Sequence, residues 1–99
     1  MVKRTLVAPE VHTHYHSGKK YEIHVMLPRV KKENIDLNFS KKGFCIKAYR
    51  PDVIFSACHQ LHHPVDVNKV KTKHYDVEGL LEITVPLLQP IVCKKIPIQ

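Results

Sequence analysis

The sequence predicts an all-β fold, an immunoglobulin-like sandwich of seven or eight short antiparallel strands without helices. Apolar and polar residues alternate in several short segments, which is typical of strands with one buried face. Turn residues such as glycine, proline and asparagine separate these segments. No stretch keeps the apolar spacing of an amphipathic helix. At 99 residues the chain has the length of one domain.

The clearest strand follows Gly79, which is predicted to lie in a turn. Its alternation places Glu82 and Thr84 on the solvent face. Its inward residues are Leu81, Ile83 and Val85. Pro86 is expected to end this strand, because proline has no N–H for a sheet ladder.

The remaining elements follow in order. Residues 1–10 are expected to be mobile, and residues 11–16 alternate as a strand. Residues 21–27 alternate most regularly and turn four side chains inward, namely Tyr21, Ile23, Val25 and Leu27. Residues 35–39 and 44–48 are predicted to form a hairpin. Residues 53–61 have strand spacing, and residues 70–75 have the low apolar content of an edge strand.

The domain boundaries follow from this pattern. We expect a short N-terminal arm over residues 1–8, the sandwich over 9–87 and a C-terminal tail over 88–99. The tail contains Pro90 and Pro97 and is predicted to stay irregular unless another segment pairs with it.

Charge and composition limit the classes of function. The net charge is +7, with a pI near 9.5, which makes nucleic-acid binding one alternative. The lysines, however, occur as doublets in separate turns, as solvated loop residues do. The apolar runs are too short to span a membrane, and no signal peptide is evident. A cytoplasmic protein is therefore expected.

The three cysteines, Cys45, Cys58 and Cys93, are odd in number and form no Cys-x-x-Cys pair. This predicts reduced thiols rather than a disulfide framework or a zinc site. No catalytic triad or glycine-rich phosphate loop is present, so no enzyme activity and no cofactor are predicted.

Three histidines on one predicted strand are weak metal candidates: His12, His14 and His16. Imidazole is a good ligand for zinc, copper or nickel. Neighbours on one strand face lie about 6.5–7 Å apart, so one ion could contact two of them at most. A polar outer strand face is therefore favoured, and no metal is predicted.

Four motifs in the expected order resemble the α-crystallin domain of small heat shock proteins. The first is Leu27-Pro28-x-Val30 followed by Glu33 and Ile35, and the second is the segment 55–71 with its Val65-Asp66 turn. The others are the Gly79-x-Leu81 signature, which continues through Ile83, Val85 and Pro86, and the C-terminal Ile96-Pro97-Ile98 tag. The resemblance covers residues 9–98 and implies the α-crystallin type of sandwich.

Several positions depart from the family pattern. Arg29 stands where the family has glycine after the proline, and Ala57 and His59 replace a basic and an aromatic residue. The connection 50–54 is too short for the strand that microbial and plant members exchange to form dimers. The N-terminal arm is also very short.

The tag carries the most specific functional expectation. Proline holds the backbone extended, so Ile96 and Ile98 project on one side. Family resemblance implies docking in a groove lined by two strands; the predicted groove residues are Ile35, Leu37, Phe39, Val70, Thr72 and His74. The tag would link subunits or fold back on its own domain; a frayed C-terminus is the alternative.

The resemblance implies an ATP-independent chaperone of the stress response, which holds partly unfolded client proteins and self-associates into a dimer or small oligomer. The first alternative is a co-chaperone-like interaction module of the same fold with one specific partner. The second is the basic nucleic-acid-binding protein.

Overall fold

The computed structural model describes residues 4–89 and 94–99, and it forms two stacked four-stranded sheets. Cys93 and Pro90 lie outside the described residues. The strands are β1 (Thr5–Val7), β2 (Glu10–His16), β3 (Lys20–Met26), β4 (Ile35–Ser40), β5 (Gly43–Tyr49), β6 (Val53–Gln60), β7 (Lys71–Tyr75) and β8 (Leu80–Pro86). Sheet I has the order β1-β6-β5-β4, and sheet II has the order β2-β3-β8-β7. Among the described residues the only helical segments are two single 3-10 turns, at Lys32–Asn34 and Val67–Lys69. The predicted all-β sandwich is confirmed.

Strands β3 and β8 form the centre of sheet II. They pair antiparallel, with Ile23 opposite Ile83 and Val25 opposite Leu81. All four of these side chains are buried, while their neighbours along each strand are only half-buried. The inward faces predicted from the alternation are therefore confirmed, and Pro86 is the last residue of β8.

Sheet I covers this face from the other side. Phe44, Ile46 and Ala48 of β5 point into the core together with Phe55 of β6. The residues of β4 that face inward are only half-buried, because β4 is an edge strand. Burial of these side chains supplies the main driving force for folding, at about 25 cal/mol per Å² of apolar surface.

The N-terminal segment, which was expected to be mobile, contains a strand. Thr5–Val7 forms β1, which pairs in parallel with Val53–Phe55 of β6. The Thr5 N–H also donates to the Asp52 carbonyl at 3.0 Å. All three residues of β1 are exposed, so no alternation marked this strand. It forms because β6 offers an otherwise open edge.

The expectation of reduced cysteines is wrong for two of the three. Cys45 and Cys58 are disulfide-bonded, with Cα atoms 4.0 Å apart. The register of β5 and β6 places them directly opposite each other on the solvent face of sheet I. Cysteine count and spacing alone did not reveal this register, which is a property of the paired strands.

No helix within the described part of the chain is long and apolar enough to cross a membrane.

Candidate functional site

The candidate site is a groove between the edges of the two sheets. Strand β4 is the last strand of sheet I, and β7 is the last strand of sheet II. Both lie on the same side of the sandwich, because residues of both strands line one cavity of about 370 Å³. Each edge presents backbone N–H and C=O groups that no further strand of the described chain pairs. The groove can therefore accept an extended segment.

The groove has an apolar floor and a polar mouth. Ile35 and Leu37 of β4 form one wall, and Thr72 and His74 of β7 form the other. Leu81 of β8 pairs with His74 across the β7–β8 ladder and also lines the groove, and it is buried, with 5% of its surface exposed. Charged residues at the mouth are Lys32 and Asp76.

The structure brings together four of the six residues predicted for this groove. Phe39 lies farther along β4, where its ring stacks on Phe44 with the centroids 5.3 Å apart. Val70 lines a separate depression beside Lys20 and Pro86. Leu81 was missed as a groove residue, although its inward position on β8 was predicted.

His74 is the polar side chain of the groove wall, and only 7% of it is exposed. Its Nδ1 lies 2.9 Å from Oδ1 of Asp76, whose side chain is 83% exposed. A carboxylate only accepts hydrogen bonds, so it favours the proton of neutral His74 on Nδ1. Nε2 is then an acceptor, and it is buried without a partner among the described residues. Such a group costs about 1–3 kcal/mol of stability.

The C-terminal tag lies away from this groove. Ile96 is 65% exposed and Ile98 is 91% exposed. Residues 94–99 form no regular element. The docking of the tag is thus not present in the isolated chain and remains a prediction.

The Leu27-Pro28 and Gly79-x-Leu81 motifs meet in space and have a structural role. The Leu27 N–H donates to the Gly79 carbonyl at 2.7 Å. Gly79 has a φ of +67°, and a Cβ added there would lie 2.7 Å from the Cα of Pro28. Only glycine fits this approach, which fastens the end of β3 to the turn before β8.

Arg29, which replaces the family's glycine, has a φ of +58°. Most residues reach this left-handed region only at a cost of about 1–2 kcal/mol. The preceding carbonyl, that of Pro28, accepts a hydrogen bond of 3.2 Å from Nη1 of Arg50. The backbone thus keeps the conformation that glycine would favour.

Arg50 also holds Asp52 in the short connection between β5 and β6. Nη2 of Arg50 donates to Oδ2 of Asp52 at 2.8 Å, and Nε donates to Oδ1 at 3.1 Å. These hydrogen bonds lower the pKa of Asp52 below its ordinary value. The connection spans only residues 50–52, so it contains no exchange strand.

The three histidines of β2 point outward from sheet II, and two of them contact carboxylates. Nε2 of His12 lies 2.8 Å from Oε1 of Glu10, and Nε2 of His16 lies 3.0 Å from Oε2 of Glu22. Hydrogen bonds from His24 and then His16 lower the pKa of Glu22. The three histidines do not converge on one point; His14 instead packs edge-on against His24.

The comparisons with known proteins give a family from a family model and a fold from solved structures. The model of the CS domain family matches residues 10–86. No curated protein matches the chain.

Several solved structures share the fold at low sequence identity. Heat shock protein 16.0 from Schizosaccharomyces pombe is 20% identical, with a TM-score of 0.74 over 94% of this chain and 99% of that one. A small heat-shock protein from Xylella fastidiosa, described as having a distinct high order structure, is 16% identical, with a TM-score of 0.70 over 94% and 97%. A small heat shock protein from Synechococcus phage S-ShM2 is 17% identical, with a TM-score of 0.68 over 94% and 99%.

These likenesses confirm the resemblance to small heat shock proteins at the level of the fold. Because the family model spans β2 to β8, which is most of the sandwich, the chain belongs to the CS domain family.

Proposed function

We propose that the chain is an ATP-independent holdase that binds extended, partly unfolded segments of other proteins in the groove between β4 and β7. The observation that carries this proposal is a cavity with three apolar lining residues between two sheet edges that no further strand of the described chain pairs. A client segment would add its backbone to one edge and place alternate side chains on Ile35, Leu37 and Leu81. No chemical bond is made or broken in this function, so the chain is not an enzyme in the proposal.

Self-association through the tag is the second part of the proposal. The occupant is Ile96-Pro97-Ile98 of another copy, whose two isoleucines are largely exposed in the isolated chain. Their size suits the apolar floor of the groove. Burying both is worth about 3–5 kcal/mol before the entropy cost of association. This gain supports a dimer or small oligomer of moderate affinity.

The two occupants compete for one groove. The tag of another copy would cover the apolar floor in the resting state, and a client would displace it. Because both occupants are extended apolar segments, groove-blocking substitutions should weaken self-association and client binding together.

The holdase proposal is tested by light scattering of a heated client enzyme at several ratios of chain to client. The unsubstituted chain should suppress aggregation, and T72R should not, because the longer arginine side chain would extend from the wall and fill the groove. K71R is the matched control, since it introduces the same side chain on the outward face of β7. Equal suppression by T72R and K71R would place client binding outside the groove, and no suppression by any of the three would refute the function.

Self-association is tested by native mass measurement over a range of concentrations. The double substitution I96A/I98A should shift the chain to monomer. V77A is the control, because Val77 is a fully exposed apolar residue outside the tag. An unchanged mass for I96A/I98A would refute the tag as the link between subunits.

The co-chaperone-like module is the second candidate function. It is favoured by the match to the CS domain and by the absence of an exchange strand in the connection 50–52. Recovery of one stoichiometric partner from cell extract, without suppression of client aggregation, would support it.

The sequence led us to expect a cytoplasmic location, but one feature of the structure opposes it. The bond between Cys45 and Cys58 argues for a more oxidising compartment, since disulfides are rare in most cytosolic proteins. Fractionation of cells that produce the chain at its native level tests the location directly.

A further inference from the structure

A cluster of metal-binding side chains occupies the solvent face of sheet II, away from the groove. Three neighbouring strands contribute to it. His24 of β3 is paired with Glu82 of β8, and Glu22 of β3 is paired with His14 of β2. Because residues two apart on a strand share a face, all four side chains project from the same side of the sheet.

Three of these residues already converge. One ligand atom from each of Glu22, His24 and Glu82 lies within 4.8 Å of the other two. Ligands at about 2.1 Å from a tetrahedral zinc ion are about 3.4 Å apart, so small side-chain rotations would close the cluster. All three residues are half-buried, which limits competition from water.

The surrounding contacts differ between the two carboxylates, since Glu22 contacts His24 and His16, whereas no ion pair of the described residues includes Glu82. Oε1 of Glu22 lies 3.2 Å from Nε2 of His24, so a metal ion would replace a shared proton. Lys73 of β7 is paired with Glu82 in the ladder. Its Nζ, however, lies over the ring of Tyr75 at 5.2 Å, and no ion pair to Glu82 occurs within the described part of the chain. Neither Glu22 nor Glu82 therefore has an ion pair with a lysine of residues 4–89 or 94–99.

A fourth ligand is close by. The ring of His14 lies 5.7 Å from the ring of His24, centroid to centroid. With His14 the donor set is two imidazoles and two carboxylates, which suits zinc and other divalent transition ions better than magnesium or calcium.

We propose that Glu22, His24, Glu82 and His14 form a binding site for a divalent transition-metal ion of the zinc type. The bound ion would join β2, β3 and β8, and it would stabilise the edge strand β2 in particular. This site does not depend on the groove or on client binding.

The test is isothermal titration of the full chain with zinc chloride, with magnesium chloride as the comparison ion. We expect one zinc ion per chain and no measurable heat from magnesium. The substitutions H24Q and E82Q together should weaken zinc affinity at least tenfold. The control is H62Q/H63Q, which removes two histidines from the loop after β6 and should leave the affinity unchanged.

The outcomes separate the assigned site from adventitious binding. No zinc binding, or equal affinity in H24Q/E82Q and the unsubstituted chain, would overturn the proposal. Loss of binding in H62Q/H63Q would also overturn it. Circular dichroism of each variant establishes that the sandwich remains folded. This is expected because one pair of substitutions lies on the solvent face of sheet II and the other in the loop after β6. A separate H14Q variant should weaken binding, and unchanged affinity would overturn His14 as the fourth ligand.

Discussion

The turn at Gly79 gives the sharpest prediction about the fold, because the methyl group that alanine adds at this position would overlap with backbone atoms. In G79A the new Cβ would lie 2.7 Å from the Cα of Pro28 and 3.2 Å from the Leu27 carbonyl oxygen. Neither atom can rotate away, because both belong to the backbone. The alanine would also have to keep a φ of +67°.

The expected loss can be estimated from three costs and one offset. The left-handed backbone costs alanine about 1–2 kcal/mol, partly offset by about 0.4–1 kcal/mol from the less flexible unfolded chain. Relief of the contact moves the end of β3 and weakens the hydrogen bond from Leu27 to Gly79, worth about 0.5–1.5 kcal/mol. Adding strain of about 1–3 kcal/mol from the overlap gives a total of about 1.5–6 kcal/mol.

Urea unfolding followed by far-UV circular dichroism measures this loss. In a thermal scan the melting temperature should fall by at least about 6 °C, since 1 kcal/mol corresponds to about 4–8 °C in a domain of this size. V77A is the control in the same turn. Val77 is fully exposed, so its change should stay within about 0.5 kcal/mol. A loss below about 0.5 kcal/mol in G79A would refute the close approach of the two motifs.

Three further predictions concern single side chains. In H74L the free energy of unfolding should rise by about 1–2 kcal/mol in denaturant titration, because the substitution removes a buried nitrogen that has no hydrogen-bond partner among the described residues. The lost contact with the exposed Asp76 carboxylate contributes little. A loss of stability would mean that both ring nitrogens of His74 make hydrogen bonds. R29G should stabilise the chain by about 0.5–1 kcal/mol in the same assay, because φ is +58° there, and destabilisation would show that Arg29 is not strained. D52N should lower the melting temperature at pH 7. Hydrogen bonds from Arg50 depress the folded-state pKa of Asp52 below its ordinary value of 3.8. The contribution of Asp52 to the free energy of unfolding is therefore present above pH 3.8 and is lost as the pH falls through the depressed pKa of the folded state. A difference in stability between D52N and the unsubstituted chain that persists unchanged at about pH 2 would contradict this reasoning.

Local alternation was enough to predict the central strands. Ile23 and Val25 of β3 and Ile83 of β8 face the core as the period of two required. Their pattern is strong because both strands lie in the middle of sheet II, where one face is fully covered. Strand β1 carries no such pattern, since it is short and exposed and depends on the open edge of a distant strand.

Features that depend on strand register could not be predicted from spacing in the sequence. The Cys45–Cys58 bond requires the pairing of β5 with β6, which aligns two residues 13 positions apart. The cluster at Glu22, His24 and Glu82 likewise requires two strands from opposite ends of the sandwich sequence to be neighbours. The histidine pattern on β2 indicated the correct face of the sheet but only one of the four proposed ligands, His14.

The candidate groove could be predicted from the sequence only in part. Its position between two edges followed from the family resemblance, and Ile35, Leu37, Thr72 and His74 do line one cavity. Phe39 has the same strand phase as Leu37, yet it packs on Phe44 instead. Phase along a strand determines the face of a side chain, while its position along the strand determines which cavity it reaches.

Self-association depends on the claim that the tag of one copy occupies the groove of another, and mixed-label NMR can observe this docking residue by residue. The chain with I96A/I98A, labelled with ¹⁵N, keeps its groove but has no tag, and it is mixed with the unlabelled, unsubstituted chain. An unlabelled I96A/I98A chain serves as the control. We predict amide shift changes centred on Ile35, Leu37, Thr72 and His74 that are absent with the control. Shift changes confined to other strands, or none at concentrations where the unsubstituted chain self-associates, would contradict the claim.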